Sequence, residues 1–361
     1  MEKKITSVLA PSFLPASAVL ELTYKCNHQC LFCSCPWEAP SSKFKKHTEN
    51  ELIEWLDIIK KLCKMGVANI ALTGGEPTLN KHLPEIVEFA RSQKTELIED
   101  ENGSLVSKLV SPKIFLISNG GTMNKGILEL CKQFDVHLSM SLPGLTTYNK
   151  HTGKGSADQV LHWFEEASKM DIPNTVNITV TRLNIHELYE TISSALIAGA
   201  HFVLLNRFLP GGRGLKYAKE LMLSVEQINT MLEITEEVLI KANRKGSIGT
   251  ELPKCIIKNI DKYKNLNIGT RCSAGIDFFA IDPSGYIRAC NHSPQRIIHF
   301  SELEKLKTHE QWKVFTLKQY HPLMCKSCNL LYSCDGGCRE AAHICNGFID
   351  SIDPVFDKKY K

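Results

Sequence analysis

The 361-residue sequence has no excess charge of either sign: 43 Lys and Arg stand against 39 Asp and Glu, a net of +4. That near-balance supplies no electrostatic footprint for nucleic acid or an anionic membrane surface, and neither is expected as a partner. No run of eighteen apolar residues exists, so no spanning helix is expected. A secretory signal is lacking too. The N-terminus begins basic, but Pro11 and Pro15 interrupt its apolar stretch, which runs on into a strand-like VLELT. The 13 histidines show no ligand spacing, and no internal repeat or low-complexity tract is present. Cysteine is what the chain has in excess: 14, roughly double the need of a cytosolic protein of this length. Disulfides mostly rescue small secreted domains, and a long chain that is 43% hydrophobic can build a core without them. The expectation is a cytoplasmic protein whose cysteines are metal ligands.

Short β-branched or aliphatic runs alternate with helix-period stretches. Strands are expected at Val19–Thr23, Asn69–Thr73, Ile114–Ser118, Val136–Leu142, Val176–Thr181 and Phe202–Arg207. Between them lie amphipathic patterns such as NELIEWLDIIKKLCKM and ADQVLHWFEEASKM. Six β-then-α units predict an α/β fold with a parallel sheet and helices outside, a partial (β/α)6 TIM-like barrel. Its active site would lie in the loops at the C-terminal ends of the strands. The polar stretch Gln93–Lys113 is too long for an ordinary loop and is expected to be a lid or a surface excursion. A further helix is expected over about Ser224–Asn243. From about Cys255 helix periodicity weakens, and eight of the 14 cysteines follow. The expected organisation is a barrel over residues 1–223, a helical linker over 224–253 and a small cysteine-rich domain organised by metal over 254–361.

Directly after the first expected strand come Cys26, Cys30 and Cys33, spaced C-x3-C-x2-C. Three thiolates on one tight loop can grip one face of a cubane iron–sulfur cluster, and soft sulfur favours iron–sulfur or zinc over hard cations. A structural zinc site wants four ligands, so the alternative is a three-cysteine knuckle with a distant fourth. TGGEPTL, Thr73–Leu79, follows the second expected strand, where paired glycines let backbone approach a ligand closely. In this order at these strand ends, the two motifs resemble the radical S-adenosylmethionine (SAM) enzymes. The resemblance covers roughly Val19 to Gly214. It implies a [4Fe–4S] cluster on the three cysteines with one iron open to SAM, Phe32 near the adenine, and Gly74, Gly75, Glu76 and Pro77 at the methionyl amino group. Ser118 and Asn119 match a polar SNG turn at the third strand. Ser139 and Ser141 lie in SMSLPG, where the family often reads SLDG; Pro143 replaces the aspartate. NRFLPGGRG resembles the family's exit from the sixth strand. The implied chemistry is reductive cleavage of SAM to methionine and a 5′-deoxyadenosyl radical, which takes a hydrogen atom from an unactivated carbon.

The later cysteines form two loop-borne groups: Cys272-x12-Gly285-x4-Cys290, then Cys325-x2-Cys328-x5-Cys334-x3-Cys338. Taken physically they could hold more than one metal centre, zinc included. Combined, they resemble the SPASM domain that follows a radical SAM barrel and holds two auxiliary iron–sulfur clusters. The resemblance implies a first auxiliary cluster on Cys272, Cys290 and Cys338, with Cys255 as the candidate fourth ligand. It implies a second on Cys325, Cys328 and Cys334. The family's usual fourth ligand to that one falls on Phe356, which cannot ligate; Cys345 is the natural substitute. If GGCREAAHIC is helical, Cys338 and Cys345 lie two turns apart on one face, about 10 Å along the axis. Cys63 and Cys131 sit in helical patterns and read as core residues. Cys35, two residues past the cluster loop, is a candidate hydrogen-donating thiol.

SPASM-bearing relatives mostly modify peptides or proteins. The resemblance therefore implies a maturase of a ribosomally made precursor peptide, ending in a thioether, carbon–carbon or carbon–oxygen cross-link, or an epimerised residue. It also implies a low-potential electron donor resembling flavodoxin or ferredoxin. Only some eighteen residues precede the first expected strand. A fused leader-binding domain is therefore expected to be missing, with recognition left to a separate protein or to the barrel itself. The rival expectations are sulfatase maturation to formylglycine and a non-catalytic iron–sulfur scaffold or electron carrier.

Overall fold

The computed structural model describes residues 7–9, 13–101 and 104–358. A short strand β1 (Ser7–Leu9) precedes β2 (Ser17–Glu21), the first strand of the main sheet. Helix α1 (Leu52–Lys64) starts at a reciprocal capping box between Glu51 and Glu54 and buries Trp55, Ile58, Ile59 and Leu62. Then come β3 (Asn69–Thr73) and α2 (Leu83–Ser92). Residues 93–113 carry β4 (Thr95–Glu101) and β5 (Ser104–Val110), an antiparallel hairpin that pairs with β1 in a three-stranded sheet of its own. The hairpin leaves the end of α2 and returns to the start of the next barrel strand. It hangs from the end of the sheet remote from the βα loops, so it is a surface excursion, not a lid over them.

The barrel continues with β6 (Lys113–Ser118), α3 (Lys125–Gln133), β7 (Val136–Ser141), α4 (Tyr148–Thr152), α5 (Ala157–Lys169), β8 (Asn174–Val180), α6 (Leu188–Ile197) and β9 (Phe202–Arg207). After α7 (Ala218–Leu221), α8 (Val225–Ala242) begins at a Ser224–Gln227 capping box and ends at Asn243 in the left-handed region (φ 51°). The six expected strands are all present and lie side by side in parallel, in the order β9, β8, β7, β6, β3, β2.

The sheet does not stop at either expected edge. Strand β10 (Gly246–Ile248) adds in parallel beyond β9, and β11 (Leu266–Ile268) adds beyond β10. On the other side β12 (Phe278–Ile281) pairs in parallel with β2, followed by antiparallel β13 (Tyr286–Arg288) and β14 (Ile298–His299). The result is one eleven-stranded sheet. The chain ends with α9 (Glu310–Thr316) and α10 (Arg339–Asn346). Among the described residues no helix is long and apolar enough to cross a membrane.

Side chains alternate along the barrel strands. In β3, Ile70 and Leu72 are buried while Asn69, Ala71 and Thr73 are only half-buried; β8 and β9 repeat this with Asn177 and Asn206 on the half-buried face. Aliphatic residues therefore pack against the helices, and small polar ones face the lumen.

Candidate active site and cysteine centres

The chain leaves β2 into the loop of Cys26, Cys30 and Cys33. Backbone bonds fix its course: Gln29 N donates to Thr152 O (2.9 Å), Leu31 N to His151 O (2.8 Å) and Cys33 N to Cys30 O (3.2 Å). The segment after β9 straps it from the other side. Gly214 N donates to Cys33 O (3.0 Å), and Arg213 donates to Cys30 O (3.3 Å) while pairing with Glu38. At Gly212, whose φ is 48°, an added Cβ would lie 2.5 Å from both Cys33 O and Cys35 O. Only glycine allows this approach.

The GGEP turn continues the pairing of β3 with β2. Gly75 N donates to Thr23 O and Glu76 N to Lys25 O, each at 2.8 Å. A Cβ on Gly75 would stand 2.1 Å from Lys25 O. The Glu76 carboxylate is fully buried and accepts from Thr78 N (3.2 Å), Thr78 Oγ1 (2.7 Å), Ser118 Oγ (2.9 Å) and Asn119 N (2.7 Å). Burial raises its pKa, and the four donors pull the other way. These bonds make the side chain a tie between the ends of β3 and β6. Asn119 in turn reaches Asn27 Oδ1 (2.7 Å) and Cys26 Sγ (3.7 Å).

A cavity of about 370 Å³ opens at the C-terminal ends of the strands. All three loop cysteines line it, with Phe32, Gly75, Ser118, Asn119 and Ser141; Gly74, Glu76, Pro77 and Ser139 do not. Cys35 also lines it and stands 3.7 Å from Gly74 O. Sequence reasoning missed Thr73, Asn177, Thr179, Asn206, Arg207 and His292 in this wall. The signal was available for the strand residues. A parallel strand covered on both faces should be continuously apolar, and these strands carry polar residues every second position. A further missed residue, Glu187, grips the turn after Pro143 by accepting from the backbone N–H groups of Leu145, Thr146 and Thr147.

The C-terminal cysteines fall into two groups. Cys272 and Cys290 share one buried apolar cluster, and Cys338, also buried, lies close to both. Burial drives all three thiols upward in pKa, so as free groups they would stay neutral; a bound cation would be needed to hold them as thiolates. Two aspartates position two of the three: Asp335 accepts from Cys272 N and Asp353 from Cys338 N, each at 2.8 Å. Cys325, Cys328 and Cys334 line a second, smaller cavity together with Cys255, the cysteine expected in the first group. Cys345, expected in the second group, lies in the last turn of α10 and is not part of that wall. The helix over residues 339–346 is as expected, with Cys338 as its N-cap. Cys63 and Cys131 are buried in α1 and α3, their thiols pushed up to about 12.

Three thiols on one loop, beside the backbone of a glycine-rich turn at the mouth of a partial barrel, form a donor set that fits a cubane cluster with an open corner. Residues 20–195 match the Radical SAM superfamily, whose members use SAM and a [4Fe–4S] cluster. Among curated proteins it is 25% identical to the PqqA peptide cyclase of Bradyrhizobium diazoefficiens, over 95% of this chain and 86% of that protein. It is 27% identical to the sporulation killing factor maturation protein SkfB of Bacillus subtilis, over 60% of this chain and 48% of that one. Among solved structures, SuiB of Streptococcus suis bound to its precursor peptide SuiA superposes with a TM-score of 0.68 at 14% identity, covering 95% of this chain and 76% of that one. Native anSMEcpe with bound AdoMet gives 0.66 at 16% identity, covering 90% and 89%. The last two comparisons establish the fold.

Proposed function

We propose that this chain matures a ribosomally made precursor peptide by abstracting a hydrogen atom from one of its residues, leaving a cross-linked or epimerised product. One observation carries the reading: the cavity lined by the loop cysteines and the strand ends is lined also by Asn291 and His292, which follow Cys290 in the chain. A peptide lying there would reach from the radical-generating end to the cysteine-rich end. The near full-length similarity to a peptide cyclase supports it.

When bound, the cluster and SAM supply a carbon-centred radical. The residues of this chain do the rest. Cys26, Cys30 and Cys33 would hold the cluster, and the strap at Arg213 and Gly214 keeps their loop in register. Phe32, Gly75, Ser118, Asn119 and Ser141 would seat SAM, with Gly74 and Pro77 shaping the turn and Glu76 fixing it. Asn177 and Asn206, bonded to each other at 2.8 Å, offer amide groups to a peptide backbone in the lumen. Cys35 is the nearest further thiol to the cluster loop. In this reading the two C-terminal cysteine groups hold auxiliary iron–sulfur clusters. The protein would work in the cytoplasm with a low-potential flavodoxin- or ferredoxin-like donor and, where the barrel does not read the leader, a separate leader-binding protein.

The test is co-expression with a short open reading frame beside the gene, followed by mass spectrometry of the peptide. A loss of two hydrogens marks a cross-link. An unchanged mass with a D-residue on hydrolysis marks epimerisation. Formylglycine would move the chain to sulfatase-type maturation, and no 5′-deoxyadenosine under anaerobic reduction would make it a scaffold. Replacing Cys26, Cys30 and Cys33 with Ala should abolish SAM cleavage.

A further inference from the structure

We infer that Cys255, and not Cys345, is the fourth thiolate of the outer cysteine centre. This rests on the reading of the C-terminal cysteines as two iron–sulfur centres. Cys255, Cys325, Cys328 and Cys334 line one small cavity whose remaining wall is apolar, Met324 and Phe356 among it. Backbone N–H groups are aimed at its sulfurs: Lys254 N and Gly336 N lie 3.3 Å from Cys334 Sγ, and Leu330 N lies 3.4 Å from Cys328 Sγ. Such donors favour thiolate and tune a bound cluster. Lys254 is also the chain neighbour of Cys255, and its Nζ donates to Ser333 Oγ (2.9 Å). The turn that carries Cys255 is thus anchored twice on the segment that carries Cys334.

With Cys255 committed outward, the inner group comprises Cys272, Cys290 and Cys338, with His292 Nδ1 standing 3.9 Å from Cys338 Sγ; His292 also lines the barrel cavity.

The test uses the full chain with Cys26, Cys30 and Cys33 replaced by Ala, reconstituted with iron and sulfide, so that only the C-terminal centres report. Iron and sulfide per chain are measured, with the electron paramagnetic resonance of the reduced protein. In this background Cys255→Ser should alter or abolish the signal of one centre, with a loss of up to about half of the iron, and Cys345→Ser should leave both centres unchanged. Phe356 lines the same cavity, so adding Phe356→Cys to Cys255→Ser should bring back a four-thiolate signal. Unchanged iron and signals in Cys255→Ser, an altered or lost centre in Cys345→Ser, or no recovery with Phe356→Cys would overturn the assignment. A parent protein that takes up zinc, or no iron at all, would instead sink the two-centre reading itself.

Discussion

Glu76 sits in the GGEP turn, and its carboxylate accepts from four protein groups: Thr78 N, Thr78 Oγ1, Ser118 Oγ and Asn119 N. Glu76→Ala would strand buried donors on two strand ends, at about 1–3 kcal/mol for each group left unpaired. The expected outcome is a lower anaerobic unfolding temperature together with weaker SAM binding by calorimetry, because the turn and Asn119 lose their common anchor. Glu76→Gln, which keeps the shape and one acceptor, should recover part of both. An unfolding temperature unchanged in Glu76→Ala would remove this structural role. The motif was legible in the sequence as a string of letters, but the direction of its carboxylate was not. Ser118 and Asn119 are more than forty residues away, and only the β3–β6 pairing brings them to it. Lumen residues such as Asn177 and Asn206 are a milder case, since their period-two spacing was visible but strands were sought as aliphatic runs.

At the scale of elements, the long strands and helices were readable because each carries several turns or pleats of its own pattern. Strands β10 to β14 were not, since none exceeds four residues and a periodicity cannot be seen in so few. What ties these short pieces to the barrel is buried charge. Arg207, at the end of β9, donates two bonds to the Asp353 carboxylate and one to Glu251 O; Asp353 also accepts from Cys338 N and Val355 N. Both side chains are almost wholly buried. Removing one partner of such a pair leaves an uncompensated charge and costs about 3–5 kcal/mol. Arg207→Met and Asp353→Asn should therefore each destabilise the protein strongly, while the double variant should cost much less than their sum in a double-mutant cycle. Additive losses would mean that the two groups act independently. If Cys338 holds a cluster as proposed, Asp353→Asn should also perturb that cluster's spectrum, because it alters the bond to Cys338 N, whereas Arg207→Met should do so less.

Taken whole, the molecule departs furthest from its sequence reading at the boundary between barrel and cysteine-rich segment. Residues 1–223 hold six barrel strands, but β2 is not an edge. Its outer side pairs with β12 through Ser17–Phe278, Ala18–Phe279, Val19–Ala280 and Leu20–Ile281. Polar groups reinforce the seam: Glu21 pairs with Arg288, Tyr24 OH lies 2.7 Å from Ser284 Oγ, and Asn50 N donates to Pro283 O at 2.7 Å. At the opposite edge β10 covers β9 in the same way. A chain cut after residue 223 would expose two flat, apolar parallel strands with unpaired backbone groups, together with the buried Glu21 stripped of its arginine. Such edges template intermolecular pairing. The truncated protein should therefore be recovered as aggregate, or as a species that lacks a cooperative unfolding transition, even where its three loop cysteines are intact. Size-exclusion chromatography with anaerobic thermal unfolding decides it. A monomeric 1–223 fragment that unfolds cooperatively near the temperature of the full chain would mean that the barrel closes its own edges and that the continuous sheet is a convenience of packing. The expected aggregation would mean that the cysteine-rich segment is part of the barrel's fold, supplying the strands that close both of its edges.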